Sequence, residues 1–139
     1  MTAFRHRRQQ PERVLQTALV EHLRLRGRDG VLWLHVPNGG SRDIREAANL
    51  KRMGALAGAS DLLLFRPGAC PHCGSARLEG FALELKSDGG RLTDAQREFL
   101  WRFSEVGGHT CVAEGLNRAL AVLEAWQLLR GRAQLRGRT

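Results

Sequence analysis

The sequence predicts an α/β domain: a four-stranded mixed sheet flanked by helices, with an αβββαβ core order. Three observations carry this expectation. Four short β-type runs recur along the chain, at 31–36, 61–65, 81–86 and 109–113. Segments with apolar residues at helical spacing precede, separate and follow them. Glycine, proline and asparagine punctuate the joins.

Taken in order, Pro11 is a suitable first helical residue, and Leu15, Ala18, Leu19, His22 and Leu23 follow at helical spacing until Gly27. Val31–Val36 reads as a strand closed by the turn Pro37-Asn38-Gly39-Gly40. Asp43–Met53 reads as a helix ended by Gly54. Asp61–Phe65 is a second strand, 67–80 a loop rich in Gly, Cys and Pro, and Phe81–Lys86 a third strand. Thr93-Asp94-Ala95-Gln96 is a capping box opening a helix that Gly107-Gly108 end. His109–Ala113 is a fourth strand, and Leu116–Leu129 a last helix.

With 139 residues, 42% hydrophobic and 26% charged, the chain is sized for one core. No apolar run is long enough to span a bilayer, and residues 1–10 lack the apolar segment of a signal peptide. Three cysteines make no closed disulfide set, so the expected compartment is a reducing one, a bacterial or phage-infected cytoplasm. The net charge of +8 is unevenly placed. Arg5, Arg7 and Arg8 in residues 1–10, and Arg130, Arg132, Arg136 and Arg138 in residues 130–139, face no acid within their segments. Removing those seven from the 22 basic residues leaves 15 against 14 acidic ones in 11–129. Two basic tails, 1–10 and 130–139, on a balanced body at 11–129 point to a polyanion partner, most simply nucleic acid.

The residues that carry chemistry are Asp61, Glu84 and Lys86. Glu84 and Lys86 sit two apart on one strand and share a face. If strands 61–65 and 81–86 form a hairpin, Asp61 lies beside them. Two converging carboxylates repel unless a cation sits between them, and hard oxygen donors favour Mg²⁺ or Mn²⁺. Alone, a Glu-x-Lys pair in a strand is ordinarily a solvated cross-strand pair. The earlier Asp, the glycine-rich turn and the basic chain raise it above that. Asn38, Gly39 and Gly40 let backbone amides approach a phosphate, and Arg42, Arg45, Lys51 and Arg91 are candidate phosphate contacts.

Glu12 and Gln16, PNGG at 37–40, LKRMGALAGASD at 50–61, ELK at 84–86 and RLTDAQ at 91–96 together resemble the VRR-NUC branch of the PD-(D/E)xK nucleases, over roughly residues 11–126. Ser60 departs from the proline this family usually carries before the aspartate. The resemblance implies a restriction-endonuclease-like fold and a divalent-metal-dependent DNA endonuclease acting in replication or repair. It implies Asp61, Glu84 and the Leu85 carbonyl as metal ligands. It further implies Lys86 positioning and helping to deprotonate the attacking water, Gln96 orienting Lys86 or a phosphate, and Glu12 as an acid on the metal side or acting through a water. Stand-alone members are similar to junction resolvases and act as homodimers, so branched DNA is the expected substrate.

Cys70-Pro71-His72-Cys73-Gly74 has the C-x₂-C spacing of half a zinc site. A parallel fourth strand would begin beside 67–80, which would bring His109 and Cys111 to Cys70 and Cys73 as a structural zinc site. Against this, Cys111 also reads as a buried core thiol. A zinc-knuckle nucleic-acid-binding protein without catalysis, and a sequence-specific restriction-type nuclease, are the competing functions.

Overall fold

The computed structural model describes residues 3–37 and 43–131, with side chains from Glu12 onward. Its elements are α1 (Ala3–Arg26), β1 (Leu32–His35), α2 (Ile44–Arg52), β2 (Leu62–Ala69), β3 (Ala76–Lys86), α3 (Asp94–Glu105), β4 (His109–Glu114) and α4 (Leu116–Ala125). The four strands form one sheet in the order β1-β2-β3-β4. β1–β2 and β2–β3 are antiparallel and β3–β4 is parallel, so the expected mixed sheet is present.

The apolar stripe of α1 explains its place: Leu19 and Leu23 are buried against Leu62, Leu64, Phe81, Leu83 and Leu85. α4 adds Ala119, Leu120 and Leu123 to the same core. Phe81 meets the Trp126 ring at 5.1 Å, and both Trp33 and Trp126 are half-buried against this cluster. α3 covers the other face, where Gly80 meets the ring of Phe103. β3 is therefore buried from Phe81 through Lys86 on both faces, not only on its apolar one.

Four boundaries differ from the sequence reading. α1 begins at Ala3, before Pro11, because arginine and glutamine are good helix formers. The 67–80 loop is mostly strand: β2 continues to Ala69 and β3 starts at Ala76, leaving a turn at 70–75. Pro67 is tolerated there because β1 begins only at Leu32, opposite Phe65, so that edge of β2 is unpaired. α4 stops at Ala125, where Gln127 takes a φ of 60° and turns Leu128 and Leu129 back into the core. Arg130, read as tail, is tied to the body: its N–H donates to the Arg26 carbonyl at 2.8 Å and its guanidinium to the Gly27 carbonyl at 2.9 Å. The apolar positions of α2 have no core to fill, and Ile44 is 85% exposed.

Candidate active site

The site lies where β2 begins and β3 ends. Leu62 pairs with Leu83, so one step further along the ladder Asp61 stands opposite Glu84. Asp61 is a bend residue just before β2, held by its backbone from two sides. Val36 N–H donates to its carbonyl at 3.0 Å, and His35 Nδ1 donates to the same carbonyl at 2.8 Å. Its side chain turns inward, and Oδ2 accepts the Leu85 N–H at 2.7 Å. The carboxylate thereby takes over the pairing that β2, starting only at Leu62, does not give to Leu85.

Glu84 is 3% exposed. Gln96 Nε2 donates to its Oε1 at 2.8 Å, and Lys86 Nζ stands 3.4 Å from the same oxygen. Burial and then the neighbouring Asp61 charge push the Glu84 carboxyl up to about 7, against the pull of Lys86. A glutamate next to a lysine normally titrates low, so desolvation and the second carboxylate dominate here.

Gln96 works in two directions. Its Oε1 accepts the Thr93 N–H at 2.9 Å while Thr93 Oγ1 accepts the Gln96 N–H at 3.1 Å, the reciprocal capping box. Its amide nitrogen is then left pointing at Glu84. The sequence reading has Gln96 orienting Lys86 or a phosphate; in this structure its amide donates to the Glu84 carboxylate instead. Gly58 (φ 79°) sits against the backbone of Ala95 and Gln96, so close that a Cβ would collide with them. This contact presses the start of α3 onto the segment leading to Asp61.

The Leu85 carbonyl faces the same side. Lys86 O accepts the Gly115 N–H at 3.0 Å on the β4 flank. One residue back, the alternation of the strand turns the Leu85 N–H and C=O to the opposite flank, where Asp61 lies.

Other expected site residues are not gathered here. Glu12 is half-buried on α1, and no hydrogen bond or ion pair among the described residues joins it to Asp61, Glu84 or Lys86. One turn further, Gln16 buries both amide atoms without a partner among the described residues. The Ser60 hydroxyl, at the position of the missing proline, is likewise buried and unpartnered. Lys51, Arg45 and Arg91 are exposed. Asn38, Gly39, Gly40 and Arg42 lie outside the described residues. Sequence reasoning missed His35, whose only signal is its position at the end of β1 beside the start of β2.

The four expected zinc ligands are not brought together in one chain. Cys111 pairs with Leu83 and His109 with Phe81, where the His109 ring stacks on the phenyl at 4.8 Å. Cys70 lies beyond the Ala69–Ala76 pair, seven residues from Leu83 along β3, or about 23 Å at the strand rise. The hairpin outruns β4, so the start of β4 meets Phe81 and not the turn. Burial raises the Cys111 thiol, as suits a core cysteine. Among the described residues no group of three or more His, Cys, Asp or Glu could hold a metal. No helix among them is long and apolar enough to cross a membrane.

A family model for the VRR-NUC domain matches residues 10–117. A solved structure described as a VRR_NUC domain protein superposes with a TM-score of 0.61 at 27% identity, over 85% of this chain and 89% of that one. No curated protein matches the chain.

Proposed function

The chain belongs to the VRR-NUC domain family, a family of nucleases, and we propose that it is a divalent-metal-dependent DNA endonuclease centred on Asp61, Glu84 and Lys86. The observation that carries this reading is the buried meeting of Glu84 with Asp61, Lys86 and Gln96 at one end of the sheet. Nothing about stability calls for a glutamate 3% exposed beside a second carboxylate, since desolvation and repulsion both oppose its charge.

The donors fit Mg²⁺ or Mn²⁺. Two carboxylates and the Leu85 carbonyl are hard oxygens on one flank of β3, and a divalent charge would offset both penalties on Glu84. Such an ion, when bound, supplies positive charge against the scissile phosphate and its leaving oxygen. The protein's own part is separate. Gln96 holds Glu84 in one rotamer, and the Leu85 N–H holds Asp61. Lys86, its ammonium anchored beside Glu84, orients the attacking water and helps remove its proton. Lys51 and Arg91 are exposed and available to DNA phosphates.

The preferred substrate is branched or junction DNA, cut by a homodimer whose two sites address two strands. Incubation with Mg²⁺ or Mn²⁺ and labelled duplex, single strand, flap and four-way junction tests this. Faster incision of the junction or flap supports the reading. Cleavage at one duplex sequence would instead make it a restriction-type enzyme. Zinc-dependent binding without cleavage would make it a knuckle-type binding protein.

A further inference from the structure

The end of the β2–β3 hairpin lies eight residues from Glu84 along β3, about 26 Å away, and the reaction gives it no task. It is a two-stranded arm. β1 begins opposite Phe65 and β4 begins opposite Phe81, so neither flanks the pairs from Arg66–Glu79 to Ala69–Ala76. Two-stranded ribbons are marginal in water; near its base this one is braced by the Arg66–Glu79 ion pair at 2.9 Å and by the Arg66 guanidinium over the Phe81 ring. The turn at its tip is nevertheless ordered by its backbone. Gly74 N–H donates to the Cys70 carbonyl at 2.8 Å, and Cys70 N–H to the Ser75 carbonyl at 2.9 Å. Gly74 takes the left-handed φ of 71° that closes the turn. Neither cysteine of the turn is in a disulfide, and Cys73 is exposed.

We propose that Cys70 and Cys73 are half of a tetrahedral zinc site, completed by the same two cysteines of a second copy of the chain. Structural zinc takes four protein ligands, and a C-x₂-C turn supplies two. Among the described residues no third ligand joins them: Cys111 and His109 are far down the sheet, and His72, in the same turn, makes no three-ligand group with the two cysteines. A second turn related by a two-fold axis supplies the missing pair. The flank of the arm favours a protein neighbour as well. Leu32 and Leu78, 64% and 72% exposed, border a shallow apolar depression with Phe65 and Pro67. Paired arms would cover it. On assembly four thiols lose four protons as four Zn–S bonds form, with no change of oxidation state. This inference does not rest on the nuclease reading.

The test uses the full chain, reduced and metal-free, titrated with zinc alone while zinc content and solution mass are followed. A doubling of mass at about 0.5 zinc per chain, reversed by a chelator, is the expected result for a shared four-thiolate site. Cys70→Ser/Cys73→Ser removes both responses while its circular dichroism is unchanged, and Cys111→Ser keeps both. One zinc per chain with no change of mass overturns the proposal, because the site is then complete in one copy. So does failure to bind zinc, formation of a Cys70–Cys73 disulfide in place of zinc uptake, or zinc uptake that survives in the double variant. The wild-type chelator reversal reads the site even if the variant fails to fold.

Discussion

Glu84 is the residue on which the site's electrostatics depend. Its carboxyl, ordinarily near 4.5, is pushed to about 7 by burial and by Asp61. A group whose folded value is raised binds a proton on folding between those two values, so its contribution to stability is present below 4.5 and is lost as pH rises to 7. For the metal-free protein this amounts to about 3 kcal/mol across the window. Urea midpoints at pH 5 and pH 8 measure it: the fall with pH should be larger in wild type than in Glu84→Gln, and Mg²⁺ should reverse it at pH 8. Identical profiles for the two proteins would show that Glu84 is ionised without strain. The pair Glu84 and Lys86 was legible in the sequence as an interruption of an apolar strand. Its burial was not, because only the packing of α3 turns that face inward. Nor was the contact of Gln96 with Glu84, since a capping box fixes one end of the glutamine and leaves the other to tertiary structure.

Among the elements, α3 is the one that seats the site. Its first turn is fixed from within by the capping box and from outside by Gly58. Gly58→Ala would strain a positive φ and push against the Ala95 carbonyl, so a loss of about 1–3 kcal/mol is expected. Cleavage should fall by more than the stability loss explains, since Gln96 moves with the helix. An unaltered rate in a destabilised but folded variant would separate α3 from the chemistry. The strands and helices themselves were readable because apolar periodicity and glycine punctuation agree along most of the chain. The β2–β3 arm was not: Gly68, Pro67 and the cysteines look like loop residues, and only the ladder from Arg66–Glu79 to Ala69–Ala76 reveals a strand pair. That misplaced arm is also why His109 and Cys111 seemed near the turn.

For the molecule as a whole, charge and catalysis are separable. The body from 11 to 129 is almost neutral, while residues 132–139 carry three arginines. Deleting 132–139 should reduce the dependence of duplex affinity on salt by about 0.9 in log–log slope for each arginine that contacts a phosphate. An unchanged slope would remove the C-terminal segment from the DNA contact. The central claim, that Asp61, Glu84 and Lys86 form a metal-dependent cutting site, is tested most directly by cleavage of labelled four-way junction and duplex DNA in Mg²⁺ and in Mn²⁺. Wild type should cut and should stop on chelation. Glu84→Ala and Lys86→Ala should each lose cleavage by about a hundredfold or more while binding DNA as tightly as wild type. Cleavage by either variant at the wild-type rate would contradict the account.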